Sequence, residues 1–107
     1  MKIVMQNGCK HALSRDDVDA VLQNISPKYF ENISNIALYQ SQNEDIYVKY
    51  YRKEKIIGLF CAKDSKVSKR DVINELLISL AVIYDIDDYP LRLSESRRRH
   101  YLEEILE

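Results

Sequence analysis

Apolar residues recur along this chain with two different periods, and the period changes from segment to segment. Val18, Val21, Leu22 and Ile25 follow the i, i+3, i+4, i+7 spacing of an amphipathic helix with one buried face. Ser14 precedes them as an N-cap, and Asp17, three positions on, can reach back as a weaker form of the capping box. Ser26-Pro27 stops that helix and opens another helical turn in "PKYFENI", because proline suits a first helical position. Ahead of it, "MKIVM" reads as a short strand that ends at the turn-forming Asn7-Gly8 pair.

Further on the period drops to two. "NIALYQ" reads as a strand, and "EDIYVKYYRKEKIIGLFCAK" reads as a hairpin. Its arms are Ile46 to Tyr51 and Ile56 to Ala62, joined by the charged turn Arg52-Lys53-Glu54-Lys55. The β-branched and aromatic content suits a pleated surface. Alternation puts Tyr47, Lys49 and Tyr51 on one face, with Ile46, Val48 and Tyr50 on the other. Lys63 to Val67 is a short charged loop.

The helical period then returns. Ser68 caps the longest helix, about Lys69 to Asp85, with Asp71 in its first turn where a negative charge suits the dipole. Val72, Ile73, Leu76, Leu77, Leu80, Ile83 and Tyr84 cover one broad face of it, and Ile78 and Val82 form a second, narrower strip. "DIDDYPLRL" is an extended connector, since Pro90 disfavours helix at Tyr89. A last helix starts at Ser94 or Ser96 and runs to about Leu106, with Tyr101, Leu102, Ile105 and Leu106 as its stripe. The pattern predicts an α+β fold: a small, mainly antiparallel sheet of three to four strands packed on about four helices.

Size and composition narrow the picture. A chain of 107 residues, 46% apolar and 31% charged, is expected to form one domain spanning 1–107. Two glycines and two prolines leave little room for irregular chain. Sixteen basic residues against 17 acidic ones give a net charge of −1, which argues against nucleic acid as the partner. Two cysteines, Cys9 and Cys61, are too few for a disulfide framework, so reduced thiols in the cytoplasm are expected. The apolar stretch of "MKIVMQNGCKH" is too short for a signal peptide, and no run approaches a membrane span.

The candidate chemistry centres on Glu75. In "VINELLISL" it lies between the two apolar strips, one turn from Ser79, while Asn74 faces elsewhere. A helix apolar over most of its circumference is buried over most of it. Glu75 thus opens either onto a small solvent window or into a cleft, where a carboxylate with a raised pKa serves as acid or base.

"LSRDDVDAVLQNISPKYFENISNIALY" resembles the front of the minimal zincin-like metallopeptidase domains, in which a capped helix, a Pro-containing segment and a strand precede the metal helix. "VINELLISLAVIYD" takes the place of that family's H-E-x-x-H helix, and "RLSESRRRHYLEEI" the place of the helix after it. The resemblance covers about two thirds of the chain and implies a zincin-like arrangement. The ligand positions depart from the family: Asn74 and Ile78 stand where its histidines bind zinc, and only the glutamate, Glu75, remains. Isoleucine cannot ligate a metal, and an amide oxygen is a poor zinc ligand beside imidazole or thiolate. Glu103 and Glu104 lie where the third ligand would arise. The resemblance therefore implies a scaffold without metal ligands, and no cofactor is expected.

Other groups offer weaker chemistry. Cys9 and His11 in "CKH" would need Cys61 or His100 nearby to complete a metal site. Arg92, Arg97, Arg98, Arg99 and His100 form a basic cluster, but successive arginines fan around a helix. Arg99–Glu103 and His100–Glu104 are expected to pair locally. Lys63, Lys66, Lys69 and Arg70 make a second basic patch. Eight tyrosines exceed what this core can absorb, and amphipathic aromatics concentrate where proteins meet. The leading expectation is a non-enzymatic domain that binds another protein or its own copies, with Tyr47, Lys49, Tyr51, Arg97 and Arg98 as binding residues. Two alternatives remain: a metal-dependent hydrolase using Glu75 with ligands from Cys9, His11, His100 or Glu103, and a nucleic-acid binder working through the basic C-terminal helix.

Overall fold

The computed structural model describes residues 1–8, 11–41, 46–61, 68–86 and 93–106. Four strands, β1 (Lys2–Met5), β2 (Asn35–Tyr39), β3 (Tyr47–Tyr51) and β4 (Ile56–Phe60), form one sheet in the order β1-β2-β4-β3. Among the described residues three α-helices accompany it, α1 (Arg15–Leu22), α2 (Lys69–Ile86) and α3 (Glu95–Leu106), with one 3-10 turn at Pro27–Tyr29. The fold is α+β. The expected fourth helix is only that 3-10 turn, because Pro27 starts it and Phe30 already leaves helical geometry at φ −133°.

The sheet is mixed, not mainly antiparallel: β1 pairs β2 and β2 pairs β4 in parallel, and only β3 with β4 is antiparallel. The first parallel pair arises because α1 lies between β1 and β2 and carries the chain back to the same end, as a crossover must. The second arises because β3, although it comes first in the hairpin, takes the edge and leaves β4 beside β2. Composition explains that choice. The central strands read "NIALY" and "IIGLF", nearly unbroken apolar runs, while "YVKYY" alternates exposed and buried positions as an edge strand does.

Local chemistry sets the helix starts. The Ser14 hydroxyl accepts the Asp17 N–H at 3.1 Å, and the Asp17 carboxylate accepts the Ser14 N–H at 2.9 Å, closing the capping box. That amide bond, with Lys69 at 3.2 Å behind it, holds the Asp17 carboxyl below its ordinary pKa. Ser68 accepts from Asp71 N–H, and Ser94 from Arg97 N–H. Gly8 sits at φ 74°, the left-handed conformation that its turn requires.

All three helices serve one core. Ile36, Leu38, Ile57 and Leu59 point from the sheet to meet Val18, Leu22, Val72, Leu76 and Leu80. α1 packs on β1, α2 on β3 and the 3-10 turn, and α3 on α2. From Leu76 to Ile83 every residue of α2 is buried, including Ser79, whose hydroxyl donates to the Glu75 carbonyl at 2.7 Å. Tyr84, expected on the buried face, is 48% exposed; its ring packs edge-on against Tyr29, 5.1 Å away. α3 is anchored by Tyr101, buried, with its hydroxyl donating to the Asp85 carboxylate at 3.1 Å. Among the described residues, no helix is long and apolar enough to cross a membrane. Cys9, the loop Lys63 to Val67 and most of the connector, with Pro90 and Arg92, lie outside the described residues.

Ser14→Ala removes one side of the capping box and is expected to lower the unfolding free energy by about 1 kcal/mol. Leu76→Ala, in the centre of the core, is expected to cost roughly 3 kcal/mol. Urea denaturation followed by circular dichroism measures both.

Candidate functional site

Two surfaces draw the chemistry-bearing residues together. The first is a groove of about 880 Å³ between the N-terminal half of α2, α3 and the start of β3. Glu75 and Asn74 line it, and so does Ile78, which shares the wall with Ile46, Tyr47 and Leu102. α2 is wrapped on its other sides, so its acid emerges where α3 and the edge strand do not quite meet. The Glu75 carboxylate is ion-paired with Arg98 of α3. Arg98 keeps 36% and Glu75 26% of its side-chain surface in solvent, so the pair adds little stability. It does occupy the acid: its charge is met by a guanidinium. Asp71, Glu95 and Arg99 complete a mixed-charge rim.

The other ligand candidates are elsewhere. The Leu13 N–H donates to His11 Nδ1 at 2.9 Å, so Nδ1 carries no proton and Nε2 donates to the Leu59 carbonyl at 3.1 Å. Both ring nitrogens are used in tying the segment before α1 to β4. Burial, the largest cause, pushes the His11 pKa below its ordinary value. His100 stands exposed 3.9 Å from Glu104, the local pair expected from their spacing. His11, His100 and Glu103 do not line the groove with Glu75. Among the described residues, no three His, Cys, Asp or Glu side chains converge as a metal site would require. Cys61 is buried in the core.

The basic residues are partly consumed by the fold. Arg98 holds Glu75, Arg97 lies over the Tyr101 ring at 5.5 Å, and Lys69 reaches Asp17 across to α1. α3 therefore does not present its arginines as one edge. Lys63 and Lys66 of the second patch lie outside the described residues.

The second surface is the face of the sheet opposite the helices. Tyr47, Lys49 and Tyr51 all stand on it, as their alternation predicts, and all three are exposed. Register adds neighbours that sequence reasoning missed. Tyr39, Phe60 and Tyr47 are aligned across β2, β4 and β3. Their rings stack at 5.0 Å between Tyr39 and Phe60 and at 4.5 Å between Phe60 and Tyr47. Those separations match the spacing of neighbouring strands, so the three rings stand side by side with faces together and edges outward. The row below is small, with Ala37 beside Gly58. A methyl group at Gly58 would meet Phe60 Cε2 at 3.0 Å and Tyr51 Cε2 at 3.3 Å, so the rings lean over this backbone. Gly58 inside a strand is the sequence signal that could have revealed that close approach. Val4, 42% exposed, extends the apolar surface across β1.

No family model, curated protein or solved structure matches this chain.

Arg98→Met is expected to change the unfolding free energy by less than about 1 kcal/mol, as a part-exposed ion pair implies. For His11 the sign is set by its lowered pKa. Below about pH 6.5 the unfolded chain takes up a proton that the folded chain resists, so stability falls as pH drops through that region and then levels off. NMR titration is expected to place His11 below the ordinary value, and His11→Gln to flatten the melting temperature between about pH 7 and pH 5.

Proposed function

We propose that this protein is a non-enzymatic binding domain that docks another protein on the open face of its sheet. One observation carries the reading: an aromatic row, Tyr39–Phe60–Tyr47, with Tyr51 and Val4 beside it, stands on a face that no described helix covers. A mixed sheet with a parallel core normally has both faces covered. A bare aromatic face rimmed by polar groups is how a protein displays a contact surface. Tyrosine suits that role, because it buries a large area at the cost of only two side-chain torsions.

The scaffold is read as similar to the minimal zincins without their metal. What supports this is the placement of Asn74, Glu75 and Ile78 along one groove wall, the acid paired with Arg98. A chain of this kind works in the cytoplasm, with its core thiol reduced.

Selection of binders from a displayed random-peptide library, followed by counter-screening, tests the docking face. Peptides that bind the native protein are expected to lose about tenfold or more in affinity against Tyr51→Ser and Tyr47→Ser, as contact residues at an interface centre do. Circular dichroism melting controls for the variants' stability. Peptides that ignore both substitutions and respond to changes in the Glu75 groove would overturn the reading.

A further inference from the structure

Charge on this molecule is sorted by layer. Among the described residues the strands and the hairpin turn carry Lys2, Lys49, Arg52, Lys53 and Lys55 against Glu54 alone, whereas acidic residues outnumber basic ones across α1, α2 and α3. The near-neutral total conceals this separation. No described carboxylate shares the open face, on which Lys2 and Lys49 both stand exposed in the rows of Ile56 and Gly58.

Resting on the docking reading above, we infer that the partner of this face is an acidic protein segment carrying aromatic or aliphatic side chains between its carboxylates. Three features converge on carboxylate. The lysines supply the charge. The aromatic rings present their edges, and a ring edge is the electropositive part of the π quadrupole. Tyr39, Tyr47 and Tyr51 add hydroxyl groups able to donate to an anion. The apolar groups of the partner then bury Val4 and the exposed parts of Tyr47 and Tyr51.

The same geometry argues against the other occupants. Single-stranded nucleic acid is also anionic, but its bases bind by stacking on exposed ring faces. Here the central ring, Phe60, has both faces covered by Tyr39 and Tyr47, the latter only 8° from parallel, so the middle of the row offers no ring face to a base. A second copy placed face to face would set lysine against lysine, and like charges across an interface are unfavourable.

The test titrates isotopically labelled protein with a random glutamate–tyrosine copolymer, using a lysine–tyrosine copolymer and a thymidine oligonucleotide as comparisons. The glutamate–tyrosine polymer is expected to shift the amide signals of Tyr39, Lys49, Gly58 and Phe60. Its affinity is expected to fall about tenfold between low and high salt, because exposed charges are screened. Lys49→Glu, at an exposed position, is expected to weaken it by a similar factor with an unchanged melting temperature. Equal binding of the lysine–tyrosine polymer would overturn the acidic partner while leaving the docking face in place. Tighter binding of the oligonucleotide would assign the face to nucleic acid. Concentration-dependent dimerisation through these residues, seen by sedimentation, would assign it to a second copy. Silence from the glutamate–tyrosine polymer, with library-selected peptides still mapping to Tyr47 and Tyr51, would sink this inference alone. Silence from both would sink the docking reading too.

Discussion

The burial of α2 is the constraint on which the rest of the structure depends. From Leu76 to Ile83 every residue of this helix is buried, and only its first turns and its end are exposed. A helix that is apolar nearly all round must be enclosed on every side. The sheet covers one side of it, the 3-10 turn and α3 the others, while α1 closes the core above β1. Three helices are thereby committed to one face of a four-stranded sheet. Among the described residues, none is left for the other face.

The groove and the open face are the two remainders of that arrangement. Where the wrapping of α2 is incomplete, between α3 and the edge strand β3, Asn74 and Glu75 reach the surface. There the acid meets Arg98 and not bulk water alone. Where no helix was available, the sheet had to make a surface of its own. It does so with aromatic rings packed against one another over a floor of Ala37 and Gly58. That self-packing hides the inner ring faces and lowers the apolar area that water must cover. It leaves edges, hydroxyl groups and lysines outward. Tyr47 belongs to both surfaces, since its ring stacks on Phe60 while its strand borders the groove.

Much of the local structure was legible along the chain. The capping box at Ser14 and Asp17, the hairpin around Arg52 to Lys55 and the span of α2 all follow from short-range rules, and the structure holds each of them, whereas α1 ends at Leu22, ahead of the stop expected at Ser26-Pro27. The sheet topology was less legible. A hairpin pattern says that β3 and β4 pair, but not which of them sits beside β2. The unbroken apolar runs of β2 and β4 carried that information, because strands shielded on both faces lose their alternation, and the central strands here are shielded on both. Of the site, the common face of Tyr47, Lys49 and Tyr51 was visible from alternation alone. Tyr39 and Phe60 were not, because they lie on separate strands and meet only through register.

By itself the sequence determined the periodicities, the caps and the side of each strand that its residues take, since these depend on neighbours within about four positions. It also determined that Glu75 would escape burial on an otherwise apolar helix. Only the tertiary structure decided that Arg98 would be its partner, that His11 would be locked between Leu13 and Leu59, and that Lys2 would share a sheet face with Lys49. Those outcomes depend on which elements pack together. Contacts between residues far apart in the chain are set by the enclosure of α2, and no local pattern encodes them.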